Sequence, residues 1–107
     1  MTKVEFFRDG ARITGFSVSG HSGYAEAGSD IVCAAISAVV GMTEATINDV
    51  CGGKAKVRVK EADARITLTL PAACDEEESI QAVLTGMMLY LMDLRDDYPD
   101  FIEVLEV

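Results

Sequence analysis

Apolar and polar residues alternate from Thr2 to Arg8, with Val4 and Phe6 on one side and Lys3 and Glu5 on the other. A period of two predicts a half-buried strand. Asp9-Gly10 is a tight-turn signal, and alternation resumes from Arg12 to Ser19, where Thr14, Phe16 and Val18 oppose Ile13, Gly15 and Ser17. The two runs predict an antiparallel hairpin whose second strand delivers His21 just after Gly20. Ser22 to Ser29 holds small residues and no large aliphatic one, which predicts a mobile loop. Ser29 or Asp30 suits a helix cap. From Ile31 to Val40 the chain is apolar nearly all round, and polarity returns only from Thr43 to Asp49. This predicts a helix buried on most sides in its first half and surfacing in its second. Cys51-Gly52-Gly53 is its stop.

The period returns to two from Lys54 to Lys60 and from Arg65 to Leu70, around a turn at Glu61-Ala62-Asp63, and Pro71 closes this second hairpin. Asp75 to Glu78 reads as the acidic first turn of a helix, where carboxylates favour the dipole. Ile80, Val83, Leu84, Met87, Leu91 and Leu94 form its core face. Met88, Leu89 and Met92 widen the apolar surface beyond one stripe, as core filling or as a contact with a second copy, and the second reading is favoured. Tyr98-Pro99 stops the helix, and Phe101 to Val107 is a last strand. The order β-β-α-β-β-α-β predicts an α+β two-layer sandwich with an antiparallel or mixed sheet and two main helices. The 107 residues form one domain, 1–107.

Composition adds little to the fold but narrows the partners. The net charge of −9 speaks against direct nucleic-acid binding and for a basic partner. Each apolar run is interrupted short of a membrane span, and no leader pattern opens the chain. Three cysteines without a CxxC spacing suit a reduced protein and argue against a disulfide or zinc framework. The expected location is the cytoplasm. Nothing in the spacing points to a metal or a cofactor.

Candidate chemistry gathers between Gly20 and Ser37. His21 is the only histidine, and Cys33 stands three residues after Asp30 in the expected first helical turn. A helix N-terminus stabilises a thiolate, a neighbouring imidazole stabilises it further, and unpaired N–H groups can hold an oxyanion. Gly23 or Gly28 could add a donor through close backbone approach. Ser37 shares the face of Cys33 one turn on, and Asp30 could orient His21 or cap the helix. Two readings stay open on these residues alone: an activated cysteine, or a small buried hydrophobe beside a surface histidine. Cys51 at a helix end and Cys74 before an acidic run are weaker candidates.

The residues Gly20-His21, Gly28, Asp30-Ile31-Val32-Cys33-Ala34-Ala35 and Ser37 resemble the motif of the ribosomal-processing cysteine protease family. The resemblance runs over nearly the whole chain. It implies a cytoplasmic, homodimeric endopeptidase that removes the N-terminal extension of ribosomal large-subunit protein twenty-seven. Cys33 would be the nucleophile and His21 its base, with Asp30 and Ser37 supporting. It also implies substrates that are hydrophobic before the cut and basic after it. Two other classes remain: a non-catalytic ribosome-associated binding factor, and another cysteine acyl-transfer enzyme.

Overall fold

The structure, a computed structural model, describes residues 1–20 and 27–107, with the backbone alone for 27–30. His21, Gly23 and most of the expected 22–29 loop lie outside the described residues. Strand β1 (Thr2–Asp9) and strand β2 (Arg12–Ser19) form the first hairpin across Gly10-Ala11. Helix α1 (Ala27–Ala45) runs on into a π-helical turn, Thr46–Val50. Strands β3 (Lys56–Lys60) and β4 (Arg65–Thr69) form the second hairpin around a 3-10 turn, Glu61–Asp63. Helix α2 (Glu77–Asp97) and strand β5 (Ile102–Glu106) complete the chain.

The five strands make one mixed sheet in the order β3-β4-β2-β1-β5. All neighbours are antiparallel except β1 and β5, which are parallel. Both helices pack on one face, where Val4, Phe6, Phe16, Val18, Leu68, Ile102 and Val104 meet Val32, Ile36, Val40, Ile47, Ile80, Leu84 and Leu91 in a single core. The architecture is the α+β sandwich that the hydrophobic pattern predicts.

Three local readings change. The first is the phase of β2. Phe7 pairs with Gly15 but Arg8 pairs with Ile13, so a bulge at Thr14 shifts the register. Ile13 therefore turns to the same face as Phe16 and is 1% exposed, where simple alternation put it opposite. The bulge also brings β4 close: a Cβ at Gly15 would stand 2.1 Å from the Leu68 carbonyl oxygen, so only glycine fits. Gln81 on α2 supplies what the ladder loses there. The Ile13 N–H donates to Gln81 Oε1 and Gln81 Nε2 donates to the Ile13 carbonyl, both at 2.8 Å.

The second is α1. It begins at Ala27, so Gly28, Ser29 and Asp30 lie inside it rather than before it. The third is its burial. Among the described residues one stripe, Val32, Ile36, Val40 and Thr43, continued by Ile47 of the π-helical turn, is buried and Ala35 and Val39 are partly so, while Ile31, Ala34, Ala38, Met42 and Ala45 are exposed. An all-round apolar sequence therefore does not mean all-round burial. The stretch Ile31–Val50, of mean hydropathy 1.6, is also long and apolar enough to cross a membrane, contrary to the expectation from its interrupting polar residues. Its buried stripe is what a core helix on a sheet requires.

On α2, Met88 is buried and Leu89 is 56% exposed, so the apolar excess divides between core and surface. Asn48 repeats the device of Gln81, exchanging two hydrogen bonds with the backbone of Ala55 and fixing the chain as it approaches β3.

Candidate active site

The site is built where β2 ends, α1 begins its buried stripe, and the second hairpin turns. Gly20 carries the chain out of β2 with φ +77°, a conformation that favours glycine, and a Cβ there would lie 2.8 Å from the Met1 carbonyl oxygen. Its N–H donates to the Ala64 carbonyl at 3.2 Å, and its own carbonyl accepts from the Thr2 hydroxyl at 3.4 Å. The backbone just before His21 is thus held from two sides.

Cys33 is half-buried and reduced on α1, and Ser37 follows it one turn later on the same face. Both line a cavity of about 430 Å³ with Gly20, Val18, Ile36 and Ile66. Val59, Lys60, Glu61, Ala64 and Arg65 close it from the second hairpin. The cavity continues along α1 into a second hollow of about 310 Å³ that shares Val18, Ile36, Ser37 and Ile66 and ends at Gly41 and Glu44. A groove with aliphatic walls therefore runs beside the helix with the thiol at one end. Its shape suits an extended chain carrying apolar side chains.

Of the sequence-predicted site residues, the structure brings Cys33 and Ser37 together at this cavity, with Gly20 on its rim. Gly28 and Asp30 stand on the first turn of α1, upstream of Cys33. Cys33 is the seventh residue of the helix, not a first-turn residue. Within the helix, the N–H groups lacking an i−4 carbonyl are those of Ala27 to Asp30. The dipole fades beyond the first turn. The amide of Cys33 itself is an intrahelical donor, so any oxyanion donor from α1 comes from the Gly28 side of the thiol.

The other cysteines sit elsewhere. Cys51 caps the π-helical turn, its N–H donating to the Thr46 carbonyl. Cys74 lines a separate hollow with Gly52, Gly53 and Pro71. Burial pushes its thiol up, the charge of Glu77 pushes the same way, and Arg12 opposes both. A thiol held protonated is a poor nucleophile. The sequence reading missed Val59, Ala64, Arg65 and Ile66 as site residues. They reach the cavity only through the long-range pairing of β4 with β2, Ile66 opposite Val18 and Arg65 opposite Ser19, and no local spacing signals such a pairing.

The chain matches the family model described as cysteine protease Prp over residues 1–103. It is 29% identical over 94 residues to the ribosomal processing cysteine protease Prp of Bacillus subtilis, an alignment covering 86% of this chain and 84% of that protein. Its fold superposes on the Staphylococcus aureus ribosomal processing protease Prp in complex with a substrate peptide, at a TM-score of 0.87 and 20% identity over the whole of both chains. A Streptococcus mutans protein superposes at 0.90 with 22% identity, over all of this chain and 94% of the other. A family match over nearly the entire length, on a fold that opens a half-buried cysteine into a peptide-sized groove, places the chain in the Prp family of cysteine proteases.

Proposed function

We propose that the chain is a cytoplasmic ribosomal-processing endopeptidase that removes the N-terminal extension of ribosomal large-subunit protein twenty-seven, with Cys33 as nucleophile and His21 as general base. The observation that carries this reading is the apolar groove with the Cys33 thiol at one end and, on its rim, Gly20, the residue before His21. His21 takes the thiol proton, and the thiolate attacks the scissile carbonyl carbon to form a tetrahedral oxyanion. The C–N bond then breaks as the imidazolium returns its proton to the leaving amine. Water, deprotonated by His21, releases the acyl group and restores the thiol. Val18, Ile36, Val59 and Ile66 take the apolar side chains on the acyl side of the cut. Ser37 and Asp30 position the helix face around Cys33, and Gly23 and Gly28 let backbone donors approach the oxyanion. A net charge of −9 draws a basic ribosomal substrate toward the enzyme.

The same reading makes the protein a homodimer. The exposed apolar stripe of α1, Ile31, Ala34, Ala38, Met42 and Ala45, supplies a surface for the second copy, alongside the exposed Leu89 and Tyr90 of α2. The direct test is incubation with a peptide spanning the extension and the mature N-terminus, read by mass spectrometry beside Cys33→Ala. One cut, absent in the variant, is the expected result. A cut that survives in the variant removes Cys33 from the mechanism, and no cut by either protein removes the extension as substrate.

A further inference from the structure

The acidic net charge hides a strong separation of charge. On β3, Val57 and Val59 pair with Leu68 and Ile66 and stand on the helix side of the sheet, so Lys56, Arg58 and Lys60 stand on the opposite face. Arg65 of β4 lies opposite Lys60 on that face, and Lys3 of β1 follows across Ser19. Five of the nine lysines and arginines thus share one side of one sheet. Between them stand Ser19, Thr67 and Thr69, with Ser17 buried beneath Arg65, and strands β3, β4 and β2 carry no carboxylate there. The acids of this face begin on the far strands, with Glu5 on β1 opposite Ser17 and Glu103 on β5 opposite Lys3. Among the described residues only Lys60 of the five has a carboxylate partner, Asp63 at 3.6 Å on the exposed rim.

The face is also shaped. Arg58, Val59, Lys60, Arg65 and Thr67 line a hollow of about 510 Å³. Arg65 is held over the sheet by donating from Nη1 to the Ser17 hydroxyl at 2.8 Å. Alternate residues on a strand repeat every ~6.6 Å. Lys56, Arg58 and Lys60 are therefore a straight, evenly stepped row of cations, flanked by hydroxyl donors. Evenly stepped cations with hydroxyls, and a single exposed apolar side chain, Val59, at the edge of the hollow, match a phosphate backbone better than a protein surface.

We propose that the outer face of β3 and β4 binds the phosphate backbone of single-stranded RNA. The choice of RNA among polyanions rests on the ribosomal reading above; the cationic face does not. Lys60 and Arg65 line both this hollow and the Cys33 cavity, so bound RNA and the processing groove meet at one edge of the sheet. An enzyme that is acidic elsewhere could then dock on RNA beside the protein it trims.

The test is fluorescence anisotropy of a labelled oligouridylate against the full chain at several salt concentrations. Four phosphate contacts on single-stranded RNA give a slope of log K against log salt near about −3. The double variant Lys56→Glu/Arg58→Glu, whose side chains lie on the exposed face outside the Cys33 cavity, should lose at least about ten-fold in affinity at low salt. It should cleave free peptide at the wild-type rate, which also shows that it folds. Binding that the variant leaves unchanged, or that does not respond to salt, overturns the proposal. So does a wild-type chain that ignores RNA but self-associates through this face at low salt, since the occupant is then a second copy. A wild-type chain that binds RNA with the expected slope yet cuts no peptide leaves the RNA face standing and sinks the processing reading alone.

Discussion

Glu77 shows how one side chain ties two parts of the chain together. Its carboxylate pairs with Nε of Arg12 at the start of β2, and the guanidinium reaches on to the Pro71 carbonyl at 2.8 Å and the Cys74 sulfur at 3.7 Å. Hydrogen bonding to Arg12 holds the Glu77 carboxyl below the ordinary carboxylate range. In the unfolded chain Glu77 returns to that range and binds more protons at acid pH than the native state does. Its contribution is therefore present above the unfolded pKa and is lost as pH falls through the native one. Glu77→Gln should lower the urea midpoint at neutral pH, and the gap to wild type should close as pH drops below the carboxylate range. A gap independent of pH would show that the ion pair adds nothing. Both partners are partly exposed, so the effect is small. At this scale a cysteine preceded by Asp-Ile-Val is a local motif that the sequence displays by itself, but its place in the second turn of α1 rather than the first is not legible there. The sequence is least legible at Arg12 and Cys74, which meet across 62 residues.

The elements followed from periodicity wherever one rule held along the whole segment. Strand β1, strand β4 and the core face of α2 appear where alternation or helical spacing put them. The rule failed where a second interaction overrode it. The bulge in β2 is stabilised from outside the sheet, by Gln81 on α2, and no pattern within Arg12 to Ser19 encodes that partner. Helix α1 starts earlier than its apolar pattern because Ala27 to Asp30 are small or polar and carry no periodic signal. Gln81 gives the clearest test at this scale. Gln81→Met keeps the volume but leaves the N–H and carbonyl of a buried residue without partners. The expected loss is about 2 kcal/mol, since each orphaned buried group costs about 1–3 kcal/mol. Gln81→Glu keeps the acceptor for the Ile13 N–H and should recover part of it. Equal midpoints for wild type and Gln81→Met in urea unfolding would mean that water satisfies the bulge.

At the scale of the whole molecule, the two-layer design covers only one side of each layer. The sheet buries its inner face against the helices and presents cations outward at its β3 and β4 end, with Glu5 and Glu103 on the outer face of β1 and β5. The helices bury one stripe each and leave apolar residues facing away from the sheet. The methionine excess on α2 breaks a single stripe and predicts the contact between copies there. Burial changes the balance: Met88 belongs to the core, and α1 leaves the longer exposed apolar row, from Ile31 to Ala45. The small residues Ala34, Ala38 and Ala45 in that row let a second helix approach closely, and Met42, 55% exposed, is the large side chain toward its C-terminal end. A dimer formed there buries Met42 against the partner, so Met42→Glu places a charge in an apolar contact while disturbing no core residue. The wild-type chain should sediment as a dimer and Met42→Glu as a monomer with an unchanged circular dichroism spectrum. If Met42→Glu remains a dimer and Leu89→Glu becomes a monomer, the contact lies on α2 instead. The position also matters for catalysis. Cys33 and Ser37 share the helix with this row, so a second copy seated on α1 would stiffen the wall of the groove that they line. Peptide cleavage by Met42→Glu should therefore fall with its dimer content and recover at concentrations that restore the dimer. A monomer that cleaves at the full wild-type rate would separate assembly from activity.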